Sequence, residues 1–201
     1  MAGALGSGPE ARCLIGIAGA PLFVEPGNAH DGRDAVYDVA WARPPDRSLS
    51  LSAVASWAEF EAAEPEFASR VRAQMASRKH LTMATLRGDG SPRISGTEVE
   101  FADGQLQIGS MRGAVKALDL RRDPRVAIHG PTDDPPAGNP AGWKGEAKVA
   151  GTAIEVESGS ADYRFLIDIH EAVITHLNQA GSRLMVESWN AARGYRTLER
   201  A

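Results

Sequence analysis

The chain has a single cysteine, Cys13, in 201 residues. That excludes an intrachain disulfide and a thiolate metal cluster, and it points to a reducing, cytoplasmic compartment. Positive charge is not in excess: 22 Lys and Arg stand against 26 Asp and Glu, a formal charge of −4. Nucleic acid is therefore not an expected partner, because a phosphate backbone needs a net basic face. A local basic pocket for one small anion is still compatible with this balance. No apolar run approaches the ~20 residues of a membrane span, so no membrane partner is expected. Hydrolytic and metal signatures are missing as well. There is no Gly-x-Ser-x-Gly, and none of His30, His80, His129, His170 and His176 stands at a metal-binding spacing. The sequence thus assigns no catalytic side chain and no metal ligand.

Glycine and proline are concentrated at the start. Residues 1–47 hold seven Gly and five Pro, a composition that cannot repay the entropy of ordering. The apolar run Cys13–Val24 is broken by Gly16, Gly19 and Pro21, and Glu10 precedes it. It does not read as a secretory leader. The expected organisation is a poorly ordered extension over 1–47 and one folded domain over 48–201.

Within that domain, Ser56 and Glu59 have capping-box spacing, and Phe67, Val71 and Met75 recur every four residues, so helix is expected from Ser56 to about Ser77. Pro65 either kinks it or begins a second helix. Period two then takes over. Strands are expected at His80–Leu86, Pro92–Phe101 and Gln105–Ser110, separated by the turns Gly88-Asp89-Gly90 and Ala102-Asp103-Gly104. A short helix, Ala114–Arg122, is followed by a strand at Arg125–His129, a Pro-rich loop and a long strand at Gly145–Glu157, with Gly151 marking a bulge. The remainder reads as a helix over Ala161–Ile169 and strands at Ala172–Leu177, Arg183–Trp189 and Gly194–Leu198. Short antiparallel strands with few helices suggest a small closed β-barrel.

One segment carries chemistry. In Gly109-Ser-Met-Arg-Gly-Ala-Val-Lys116 a strand ends, a glycine turn follows and a helix begins. A helix start offers free N–H groups and a positive dipole end, which favour an anion. Arg112 and Lys116 share a side at spacing four, and Ser110 adds a hydroxyl. Arg93 and Ser95 share one face of the preceding strand. Were that strand beside Gln105–Ser110, Arg93, Ser95, Ser110, Arg112 and Lys116 would line one phosphate pocket. The competing reading is a solvated basic helix face that includes Arg121, Arg122 and Arg125.

The segments LTMATLRGDGSPRISGTEVEF, GQLQIGS, VKALDLRRDPRVAIHG and GEAKVAGTAIEV resemble the pyridoxamine 5′-phosphate oxidase-like, FMN-binding split-barrel family. The helix WAEFEAAEPEFASRV and the closing VESWNAARGYRTLER are similar to its compact actinobacterial flavin and deazaflavin branch. The resemblance implies a mainly β fold, a six-stranded antiparallel split β-barrel with flanking helices. It also implies a homodimer holding its cofactor at the interface. The phosphate would be held by Arg93 and Lys116, with Ser110 and Met111 lining the same site. FMN is the expected cofactor, with deazaflavin (F-420) as the alternative, and hydride transfer to or from a small-molecule substrate is the expected activity. A non-enzymatic flavin, deazaflavin or haem binder is the rival, with a histidine such as His129 on the haem. Glu98 stands in the region where true pyridoxamine phosphate oxidases carry a further lysine. Trp189 and the strand Ala172–Leu177 are the expected contributors to the dimer.

Overall fold

The computed structural model describes residues 54–159 and 162–200; the extension at 1–47 lies outside them. The first helix, α1, spans Trp57–Ala63. Its capping box forms as the spacing predicts: the Ser56 hydroxyl accepts from the Glu59 N–H at 3.2 Å, and Glu59 accepts from the Ser56 N–H at 2.8 Å. The Ser56 N–H and the Ser56 hydroxyl, both donating to the Glu59 carboxylate, hold it below its ordinary pKa. Pro65 begins a separate helix, α2 (Pro65–Met75), because a missing N–H costs nothing at a first helical position. Phe67, Val71 and Met75 form its buried face.

Two strands, β1 (Leu81–Leu86) and β2 (Pro92–Thr97), pair antiparallel, and β3 (Val99–Ala102) pairs with β4 (Gln105–Ser110). The β3–β4 turn is Asp103-Gly104, with φ of 53° and 71°. Two consecutive positive φ values match the twist of a two-residue hairpin, and Asp-Gly meets that demand. Helix α3 (Val115–Arg122) leads into β5 (Arg125–His129). After a short 3-10 turn at Pro140–Gly142 come β6 (Glu146–Val156), β7 (Tyr163–Leu177), β8 (Leu184–Asn190) and β9 (Gly194–Arg200).

The sheet runs β2-β1-β5-β6-β7-β4-β3, with β8 and β9 added beside β7. Its two ends, β2 and β3, are consecutive in the chain and are separated only by Glu98. The wall is therefore six strands wide when the bent β2–β3 segment counts once. The expected closed ladder is corrected here: the wall is split at Glu98, where β2 stays with β1 and β3 leaves with β4. This is a mainly antiparallel barrel of the split type.

The expected helix at Ala161–Ile169 is also corrected. Residues Tyr163–Ile169 belong to β7, whose first half pairs with β4 and whose second half pairs with β8. The ladder with β6 shifts register, so that Ala150 faces Glu171 while Gly151 faces Ile169, leaving His170 as the extra residue. The bulge needs glycine on the opposing strand: a Cβ on Gly151 would lie 2.1 Å from the Asp168 carbonyl oxygen.

The core lies between the barrel wall and the two amino-terminal helices. Trp57 and Phe60 are fully buried and meet edge to face at 5.2 Å, and Phe60 packs on Trp189 at 4.5 Å. Trp189 is thus spent on the chain's own core, at 4% exposure, which leaves it little surface to offer a partner. Ala172 and Ile174 are buried in the same core.

Candidate functional site

Helix α3 packs against β1 and β2 through a buried carboxylate. Asp119 is 2% exposed and accepts from the Thr85 hydroxyl at 3.0 Å, Arg93 Nε at 2.6 Å and Arg122 Nη2 at 2.9 Å. Burial alone would raise the Asp119 pKa, but the bonds from Arg122, Arg93 and Thr85 outweigh it and hold the carboxyl below its ordinary value. Arg93 and Thr85 are direct cross-strand partners, so their side chains share the face that receives α3.

One turn before Asp119, Lys116 reaches over the edge of β2, where its Nζ donates to the Gly96 carbonyl at 2.6 Å. Burial pushes its pKa down, and the nearby Glu98 carboxylate partly restores it. The start of α3 carries no side-chain cap: Ala114 occupies the N-cap, so the first N–H groups of the helix have no side-chain acceptor.

This corner opens into a cavity of about 710 Å³. Lys116, Ser110, Met111 and Ala114 line it on the helix side, and Glu98, Glu100 and Gln107 line it on the β3–β4 side. Ser110 is 8% exposed and its Oγ has no hydrogen-bond partner. Gln107 is 6% exposed; its Nε2 donates to the Ala102 carbonyl at 3.2 Å, and its Oε1 has no donor. Native interiors leave few such atoms unpaired; the two residues stand three apart on β4, so their side chains leave it on opposite faces.

Of the six residues expected to form the site, the structure brings together Ser110, Met111 and Lys116 on the cavity wall. Arg93, Ser95 and Arg112 do not line it. The reason is the break at Glu98: β2 lies beside β1 instead of β4, so Ser95 faces Met83 and Arg93 faces Thr85. The Arg112 N–H donates to Asp162 at 3.0 Å, while the residue itself faces solvent. Sequence reasoning missed Arg164, an exposed cation on the cavity wall opposite Gly109. Its segment reads as helix, which gives it no relation to β4. At His129, Nδ1 lies 2.6 Å from the Gly130 carbonyl and Nε2 lies 3.4 Å from Glu146. Among the described residues no cluster of three metal-ligating side chains occurs, and no helix is long and apolar enough to cross a membrane.

No family model matches the chain, and no curated protein matches it in sequence. Solved structures do. PhzG from Burkholderia lata 383, in complex with tetrahydrophenazine-1-carboxylic acid, superposes with a TM-score of 0.51 at 9% identity, over 80% of this chain and 98% of that one. A pyridoxamine 5′-phosphate oxidase-related, FMN-binding protein from Nostoc punctiforme PCC 73102 gives 0.49 at 11% identity, over 69% and 96%. A haem-binding protein from Mycobacterium smegmatis gives 0.46 at 18% identity, over 61% of this chain and 57% of that one. At these identities the likeness is one of fold, and the PhzG superposition carries it.

Proposed function

We propose that this chain binds FMN, or a deazaflavin of the F-420 type, in the cavity at the start of α3 and serves as an oxidoreductase acting on a small molecule. The observation that carries this reading is the trio of Lys116, the unpartnered Ser110 hydroxyl and the uncapped start of α3 on one cavity wall. Together they offer a cation, a hydroxyl donor and free N–H groups, the set a phosphate monoester takes. The bound flavin would supply hydride transfer; the protein contributes binding, orientation and a shaped dielectric.

Each side chain has a distinct task in this reading. Lys116 and Ser110 hold the phosphate, and Arg164 adds charge at the mouth. Arg93 acts through another group: its bond to Asp119 fixes α3 on β2 and so places Lys116 one turn earlier. It is a positioning residue. Met111, at 75% exposure, and Val115, at 53%, are apolar surface beside the site. A second copy of the chain would cover them, as a homodimer with the cavity at its interface requires.

Anaerobic titration of the purified protein with FMN, and separately with F-420, tests the reading. Saturable binding of one of them, with a perturbed flavin spectrum, is the expected result. A protein that leaves both spectra unchanged contradicts it. Light scattering should return twice the chain mass.

A further inference from the structure

The strand glycines among the described residues are Gly96, Gly109, Gly151 and Gly194. The fold accounts for the last two. A Cβ on Gly151 would strike the Asp168 carbonyl oxygen, and Gly194 has a φ of 70° at the β8–β9 turn. Gly96 and Gly109 have neither reason: φ is not positive at either, and a Cβ at either would meet no atom within 4 Å. A glycine weakens the strand that holds it, so an unforced one marks a place where something approaches the bare backbone. Both line the cavity.

Arg164 points the same way on separate grounds. It is the direct cross-strand partner of Gly109, so its side chain leaves the sheet on the side where residue 109 lacks a Cβ. It is exposed and lines the same cavity. Among the described residues its guanidinium makes no ion pair and no hydrogen bond, whereas Arg93, Arg121, Arg122 and Arg125 are each paired with a carboxylate. The acidic residues of the lining stand on the other flank. Glu100 is on β3 and Glu98 just precedes that strand, and the order β7-β4-β3 puts β4 between them and Arg164. Two strand spacings separate the backbones by about 10 Å, a distance at which exposed charges are largely screened.

We propose that Gly109 and Arg164 form a subsite for a planar carboxylate, so that the cavity takes a small aromatic acid as its substrate. The ring would lie flat on the β4 backbone at Gly109, where a side chain would hold it off. The carboxylate would meet the planar fork of Arg164 through two parallel hydrogen bonds. Gly96 leaves the same clearance on the β2 side. Glu98 and Glu100 set the direction, because a carboxylate turned toward β3 meets like charge. The subsite rests on the reading of this cavity as the functional site and names the class of its substrate.

The test uses the full chain, labelled with nitrogen-15 and free of added flavin. Naphthalene-2-carboxylate and its neutral amide, nearly equal in shape, are titrated separately at neutral pH, and backbone amide shifts are followed. The acid should saturate, with its largest shifts at Gly109 and Arg164, and should bind roughly tenfold or more tightly than the amide, the margin of a charge-assisted contact. Arg164→Gln should remove that preference. Gly109→Val should weaken both probes several-fold, yet melt no lower than the wild type, because a β-branched residue suits a strand. Equal affinities for acid and amide would overturn the proposal, as would shifts centred elsewhere. So would a preference that survives Arg164→Gln, which would put the acid on Lys116, or a lowered melting temperature for Gly109→Val, which would give the glycine a structural cause. Because no flavin is needed, a protein that binds the acid here but ignores FMN and F-420 would sink the cofactor reading and leave the subsite standing. A protein that binds FMN and shows no preference for the acid would do the reverse.

Discussion

Glu187 and Ser110 are both polar and both buried, at 6% and 8% exposure, yet their surroundings are opposites. Glu187, on β8, is met from three elements. Arg70 of α2 grips both its oxygens, with one bond at 2.9 Å; His176 Nε2 of β7 lies 2.7 Å away; and the Tyr195 hydroxyl of β9 donates to it. Ser110, at the end of β4, has nothing to bond to. A polar group with its partners supplied from within the chain fixes structure, here the β8–β9 hairpin against α2. A buried polar group with none, on the wall of an open cavity, is a place where a ligand completes the set. The comparison separates a clamp from a site.

The largest expected effect belongs to the clamp. Glu187→Ala leaves Arg70 and His176 facing a void, and should cost about 3 kcal/mol of stability, at the low end for a broken buried pair because Arg70 is half exposed. FMN affinity should not change. The same carboxyl has its pKa lowered from 4.5 to about 2, first by Arg70 and then, against the opposing effect of burial, by Tyr195 and His176. A depressed carboxylate pKa stabilises the fold above the unfolded value. That stability should fall away as pH drops from about 4.5 toward about 2, by somewhat less than ~3 kcal/mol. Chemical denaturation at several acidic pH values should show this slope in the wild type and a flatter one in Glu187→Gln.

Arg93→Ala should cost less, about 1.5–2 kcal/mol, since Asp119 keeps Thr85 and Arg122. Its signature is the ligand dependence: by loosening α3, and Lys116 with it, it should weaken FMN by less than Lys116→Ala does and leave riboflavin nearly unchanged. An FMN loss as large as that of Lys116→Ala would instead make Arg93 a direct phosphate ligand. Ser110→Ala should have the smallest effect on folding and an inverted sign. Removing an unpaired buried hydroxyl should leave the free protein equally stable or up to about 1 kcal/mol more stable, while FMN binding falls a few-fold. A destabilised variant would mean that the hydroxyl has a partner within the chain.

Much of this architecture was legible in the sequence, and the exceptions have physical causes. The limits of β4 and β5 coincide with their expected ranges because turn and breaker residues bound them: Asp103-Gly104 before β4, Pro124 before β5. Strand β7 is different. Its buried apolar side chains are Phe165, Ile167 and Ile169, then Ala172 and Ile174, so the alternation changes phase at the His170 bulge. A strand that switches phase shows no single period of two, and Tyr163, Phe165, Leu166 and Ile169 then imitate a helix face. Arg164 was lost with it. The split at Glu98 left no local mark, being neither glycine nor proline; it is imposed by β1 and β4 drawing the two halves apart. Ser110 and Lys116 were readable from the strand–turn–helix pattern. Gln107 was not, since a glutamine in a strand gives no sign that its amide is half-satisfied.

The central claim is that Lys116 holds a phosphate in this cavity. Calorimetric titration of FMN and riboflavin into wild type and Lys116→Ala isolates that contact as a double cycle. FMN should lose roughly 10- to 150-fold in affinity on substitution, the range of a charge-assisted hydrogen bond. Riboflavin should bind both proteins about equally, and more weakly than FMN binds the wild type. Equal losses for the two ligands would show that Lys116 acts through the structure of α3, and the phosphate assignment would fall.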